Sequence, residues 1–276
     1  LPPADLPSTN EQGYSYELEA SLTADLTTVR TDAQVYKLVT DPVTMDGVAV
    51  LAERLGLSGE VEDRGSDVYV VSGNGDLYVT STLVQYIAPP SSSEGDLPSD
   101  DDAVLAARDW LQMSGLAPPD LGLGVVVAAS RDTGRVSVQF APLEPERLLA
   151  AYPSSIVTIG PDGMVLEARL QWPVIEQYDL YRLRGSEAAW RDVEAGRAYV
   201  RAPLEGSEIE QGTQVKGTVV YDTIEIGYTT SGPPDGDQFL QPIYIFSGRV
   251  TPAGSTQSYP LSAYVPALVS SRTPVG

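Results

Sequence analysis

The sequence predicts an α+β fold of two or three small modules, each an antiparallel sheet packed by a helix. Three observations predict it: capped amphipathic helices begin near residues 42, 100 and 187; each feeds segments that alternate polar and apolar residues; and glycine-bearing turns join those segments in pairs. A chain of 276 residues with 42% hydrophobic composition can bury such cores, and a single core stops growing near ~250 residues.

In chain order, Leu1-Pro2-Pro3-Ala4-Asp5-Leu6-Pro7-Ser8-Thr9-Asn10 is polar and proline-rich without periodicity, so residues 1–32 read as a flexible N-terminal tether. Residues 33–88 read as a βαββ module. Ala33 to Val39 alternates and gives way to Thr40-Asp41-Pro42, where Asp41 suits a helix cap and Pro42 the first helical turn. Val48, Leu51 and Leu55 share one face of that helix, which stops at Gly56-Leu57. Val68 to Val71 and Leu77 to Thr80 flank Asn74-Gly75, a pair that accepts the positive φ of a tight hairpin. Pro89-Pro90-Ser91-Ser92-Ser93-Glu94-Gly95-Asp96-Leu97-Pro98 breaks every periodicity, so 89–98 reads as a linker at a domain boundary.

Residues 99–276 form a larger α+β region, either one body or two units, 99–175 and 176–276. Ser99 opens a helix with Asp102 three residues on, and Asp100 and Asp101 favour its positive end. Ala103, Ala106, Ala107, Trp110 and Leu111 line its inner face before it ends at Gly115-Leu116. Strands at 125–129, 135–140, 155–159 and 164–170 follow, joined through Asp132-Thr133-Gly134 and Pro161-Asp162-Gly163, with 144–149 as a short helical turn between the pairs. A third helix begins at Ser186, turns Ala189, Trp190 and Val193 inward and ends at Gly196. Of the closing strands, 242–246 is apolar on both faces and therefore central, whereas 259–266 carries two prolines and belongs at an edge.

The 38 acidic and 17 basic residues give a net charge of −21, which disfavours nucleic acid and anionic membrane surfaces as partners. Histidine and cysteine are absent, which removes thiolate nucleophiles, imidazole bases and Cys/His metal sites; only Lys37 and Lys216 offer lysine chemistry. No Gly-x-Ser-x-Gly elbow or phosphate-cradling glycine loop occurs, and the sequence implies no cofactor. Asp235 and Asp237 are the candidate calcium ligands, although the alternating donors and distal bidentate carboxylate of a calcium loop are missing and a polar turn is the favoured reading. Fifteen tyrosines against three Phe and three Trp suit half-buried strand surfaces and recognition surfaces alike; Trp172, Tyr178, Tyr181 and Tyr264 are the candidate binding aromatics.

The stretch Tyr178-Asp179-Leu180-Tyr181-Arg182-Leu183-Arg184-Gly185-Ser186-Glu187-Ala188-Ala189-Trp190, continuing through Glu194-Ala195-Gly196-Arg197-Ala198-Tyr199-Val200, resembles bacterial extracytoplasmic regulatory proteins of the YycH/YycI type and the related PepSY-like domains. Gln241 to Phe246 and Ala263 to Leu268 are similar to their closing strands, and the helix at 99–116 is compatible with the same module. The resemblance implies a domain held outside the membrane by an N-terminal anchor or lipid, binding a sensor-kinase ectodomain or a protease without catalysis of its own. A chain starting at Leu1 and lacking any apolar run of ~18 residues fits that expectation, the anchor lying in a segment removed or missing before it. The expected function is therefore a non-catalytic, extracytoplasmic regulatory protein working by protein–protein contact. The competing expectations are a carboxylate-dependent hydrolase of envelope polymers and a PepSY-like protease inhibitor module.

Overall fold

Two-residue alternation organises most of the chain, and the result is an α+β protein with three helices and two sheets among the described residues. The computed structural model describes residues 1–6, 13–90, 95–130, 132–149, 152–204, 209, 212–233 and 236–268. The elements are β1 (Ser15–Leu22), β2 (Asp32–Val39), α1 (Met45–Arg54), β3 (Val61–Asp63), β4 (Tyr69–Ser72), β5 (Asp76–Val79), β6 (Val84–Ile87), α2 (Asp100–Ser114), β7 (Leu121–Ser130) and β8 (Arg135–Pro142). They continue with β9 (Ser154–Ile159), β10 (Val165–Gln171), β11 (Val174–Arg182), α3 (Ser186–Glu194), β12 (Tyr199–Arg201), β13 (Gln214–Ser231), β14 (Gln238–Pro252) and β15 (Tyr259–Pro266). The chain divides into two compact units: Leu1–Leu38, Arg147–Ala150 and Ile175–Gly276 form the first, Val39–Glu146 and Ala151–Val174 the second.

In the first unit the strand order is β1-β13-β14-β15-β12, with β2 joining the start of β14 and β11 pairing β2. Strand β14 is central, as its two-faced apolarity predicts: β13 runs along one edge, and β15 and β2 share the other. The face under α3 buries Ala189, Val193, Tyr221, Tyr244, Phe246 and Val250. Trp190 is half-buried there, its ring 5.7 Å from those of Tyr221 and Phe246. Burial pushes the Asp192 carboxyl up, but hydrogen bonds from Arg197 and Arg184 outweigh it and hold the group below its ordinary value. Those pairings fix the outer turn of α3 to the segments on both sides of it.

The second unit is a wholly antiparallel sheet in the order β3-β4-β5-β6-β10-β9-β8-β7. Helix α2 lies on it through Ala103, Ala107 and Leu111, all fully buried, against a core containing Val138, Phe140, Val157 and Ile159. Its alanines bring the helix close to the strands, and its start is capped as the sequence predicts, with Ser99 Oγ accepting the Asp102 N–H. At its end Gly115 takes φ 74°, and the Leu116 N–H reaches back to the Leu111 carbonyl at 2.9 Å. Helices α1 and α3 end on Gly56 and Gly196 with the same backward bond.

Several expectations are corrected. The tether 1–32 is not free chain: Ser15–Leu22 is a strand paired in parallel with β13, so this sheet is mixed rather than antiparallel. Tyr16, Leu18, Ala20 and Leu22 alternate onto the core, a pattern that outweighs the polar composition. Asp5 donates its N–H to the Thr230 carbonyl at 2.8 Å, and Gln241 Nε2 donates to the Pro2 carbonyl at 2.7 Å; residues 7–12 lie outside the described ones. The module 33–88 is divided, because β2 pairs with β11 and β14 while α1 to β6 belong to the second unit.

The supposed boundary at 89–98 does not separate sheets, since β6 pairs β10 across it and Asp162 donates its N–H to the Asp96 carbonyl. Residues 91–94 of that stretch lie outside the described ones. The region 99–276 contributes to both units, the chain passing from one to the other between Val174 and Ile175. No helical turn forms at 144–149; Leu148 instead bridges to Tyr228. Helix α1 starts at Met45 behind Thr44, whose Oγ1 accepts the Gly47 N–H, rather than behind Asp41. Strand β15 is not the outermost, because β12 pairs three residues of its far side.

One close approach sets a test of the packing. Gly248 on β14 lies against the irregularity in β13 between Tyr221 and Thr223, where a Cβ would stand 2.0 Å from the Val220 carbonyl oxygen and 2.7 Å from Tyr221 Cα. Gly248→Ala is expected to cost about 1–3 kcal/mol through overpacking. A lower denaturant midpoint at unchanged slope is the expected reading; an unchanged midpoint would mean that the two strands spread freely.

Candidate functional site

The aromatic residues singled out in the sequence do not form one platform. Tyr181 is buried with Val35 and Phe239, and burial raises its phenol above the ordinary value. Tyr264 is buried beside Ile243 and Ile245, its ring 5.7 Å from that of Tyr199 with the planes 29° apart, which is sheet packing. Trp172 belongs to the second unit, half-buried against its core, with the indole N–H donating to Asp120 Oδ1 at 3.0 Å. Tyr178 alone of the four is exposed, its ring edge-on to Phe239 at 5.1 Å.

Of the candidate calcium ligands, Asp235 lies outside the described residues. Asp237 is engaged otherwise: its Oδ1 accepts a hydrogen bond from Lys37 Nζ at 2.8 Å, a pairing that raises the Lys37 ammonium above its ordinary value. Among the described residues no group of three or more Asp, Glu, His or Cys stands where it would hold a metal ion.

The feature that sequence reasoning missed is the outermost strand of the second unit. Strand β7, Leu121-Gly122-Leu123-Gly124-Val125-Val126-Val127-Ala128-Ala129-Ser130, carries no charge over its ten residues. Every other outermost strand is charged: β1 has Glu17 and Glu19, β3 Glu62 and Asp63, β11 Glu176, Asp179 and Arg182, and β12 Arg201. Charge on an edge strand opposes pairing with another chain, so β7 lacks a protection the others have.

A Cβ on Gly124 would meet Phe140 and Val104 on the helix side of the sheet. Its neighbours Leu123 and Val125 therefore face away from α2, and they are 85% and 56% exposed. Val127, 49% exposed, follows at the register shift between Val126 and Ala128. At the start of the strand Arg108 donates to the Gly122 carbonyl and lies 5.4 Å over the Phe140 ring, covering that end. From Leu123 onward no strand pairs the outer edge among the described residues. Register shifts at 121/124 and 126/128 add twist, so an added strand must be short and twisted to follow it. The glycines at 122 and 124 are a sequence signal for the irregularity at 121/124, while nothing in the sequence marks the strand as outermost.

No family model matches the sequence, and no curated protein matches it. In structure the chain is similar to an uncharacterized protein from Eubacterium rectale ATCC 33656 known from a crystal structure. The TM-score is 0.46 at 8% identity, and the match covers 96% of this chain and 92% of that one.

Proposed function

We propose that the chain is a non-catalytic regulatory protein of the cell envelope, held outside the membrane by an N-terminal anchor and acting by protein–protein contact on a sensor-kinase ectodomain or a protease. In this reading each helix-packed sheet is a module, and the second supplies the contact. The observation that supports it best is the uncharged outer edge of β7, with Leu123, Val125 and Val127 presented to solvent. An extended segment of the partner pairs its backbone with that edge and sets apolar side chains against this row. Backbone pairing gives affinity, and the side-chain row gives choice of partner.

The test is the double substitution Val125→Lys with Val127→Lys, both at exposed positions. Thermal stability is expected to stay within about 0.5 kcal/mol, as at ordinary surface sites, while binding to the kinase ectodomain or protease falls more than about tenfold. Unchanged binding would overturn the reading. So would turnover of a peptide or glycan that is lost on replacing one carboxylate.

A further inference from the structure

In a chain of net charge −21, four of the fifteen arginines line one cavity of the first unit. Arg30 comes from the segment leading into β2, Arg182 and Arg184 flank the buried Leu183 at the end of β11, and Arg191 rises from α3. Glu187 is the one carboxylate among the lining residues, and the cavity holds about 410 Å³, the size of a small-molecule site.

Two of the four guanidiniums, those of Arg184 and Arg30, are held by neighbouring side chains. Arg184 is half-buried and donates to Asp192 Oδ2 at 2.6 Å and to the Ala188 carbonyl at 2.9 Å. Asp192 is shared with Arg197, so the three side chains together keep one positive charge in excess. Arg30 donates to the Tyr228 hydroxyl at 3.2 Å, and Arg30, Arg182 and Arg191 are all exposed.

The backbone adds donors to the same space. Gly185 caps α3 with no side chain, and the N–H groups of Ser186, Glu187 and Ala188 have no acceptor among the described residues. Tyr244, 1% exposed, lines the cavity and brings a phenol hydroxyl to it. The hydroxyl proton has no acceptor among the described residues.

We propose that this cavity binds a phosphate-bearing small anion, gripped by the guanidiniums of Arg30, Arg182, Arg184 and Arg191, with the first-turn amides of α3 and the Tyr244 hydroxyl completing the donor set. Arginine forks and helix-start amides both match phosphate oxygens. The donors outnumber what the two oxygens of a carboxylate accept, which favours phosphate over a simple acid. The inference is independent of the contact at β7: it concerns the other unit and a different class of ligand.

Calorimetric titration of the intact protein with inorganic phosphate, and in parallel with a phosphomonoester and with acetate, tests it. Phosphate and the monoester are expected to bind and acetate not to, with the affinity falling from about 0.01 M to about 0.1 M salt as the Debye length shortens from ~30 Å to ~10 Å. Arg182→Gln with Arg191→Gln, at exposed positions outside the core, is expected to weaken phosphate more than about tenfold, and Glu187→Gln to tighten it. Absence of phosphate and phosphomonoester binding to the native protein would overturn the proposal. Equal binding by the native protein and the double variant, shown by thermal unfolding to be folded, would also overturn it by placing the anion elsewhere.

Discussion

Phe246→Ala is expected to destabilise the first unit by about 3–5 kcal/mol, the range for removing a fully buried aromatic side chain. Phe246 is fully buried at the middle of β14, the strand that three others pair. Its ring stands 5.7 Å from Trp190, 6.2 Å from Tyr221 and 6.4 Å from Tyr244. Two rings fixed on the sheet, Tyr221 and Tyr244, and the Trp190 ring on α3 do not collapse fully into the space left behind, so the cavity cost adds to the lost burial. At about 2–4 °C per kcal/mol for a body of this size, the unfolding midpoint of this unit falls by roughly 10 °C. A fall of only a degree or two would show that the aromatic cluster is not the centre of the core.

Alkali is expected to unfold the protein through its buried tyrosines. Burial raises the Tyr221 phenol far above its ordinary value of 10.0. It raises Tyr86 as well, and Tyr244 in spite of the Gly185 N–H and Arg184, which act the other way. A folded-state pKa above the unfolded one means that folding favours the protonated form. That contribution is complete below pH 10 and is lost as pH rises from there through the folded value.

Stability should therefore hold to about pH 10 and then fall by about 1.4 kcal/mol per pH unit for each tyrosine still held neutral. Ultraviolet absorbance should show those phenols ionising together with loss of the fold, and Tyr221→Phe should make the decline shallower. Ionisation of all fifteen tyrosines near pH 10 with the fold intact would contradict the burial described here.

What could be read from the sequence was local. The segment at Asn74-Gly75 joins β4 to β5, although neither residue takes the positive φ expected of it, Ser99 and Gly115 bound α2, and the two-faced apolarity of 242–246 places β14 at the centre. What could not be read was distant pairing. The alternation of Ser15–Leu22 was present, but nothing in it names Gln214–Tyr221 as its partner. Likewise nothing near 89–98 shows that β6 and β10 join across it.

At the candidate residues, composition and burial diverge. Tyr181 and Tyr264 have the composition of a recognition surface and the burial of a core, because their strands are covered on the side they face. The run Val125-Val126-Val127 has the composition of a core strand, yet its place at the end of the sheet leaves two of the three exposed. Arg30 meets Arg182, Arg184 and Arg191 where the pairing of β2 with β11 joins segments about 150 residues apart, the Thr31 carbonyl accepting the Leu183 N–H at 2.7 Å.

The contact proposed at β7 is tested most directly by placing a photoreactive side chain at position 125 of the intact protein in the cells that make it, with position 50 on α1, also exposed, as the control. The proposed function predicts one defined adduct from position 125, containing a sensor-kinase ectodomain or a protease cross-linked through an extended segment, and none from position 50. Equal labelling from both positions, or none from position 125, would contradict it.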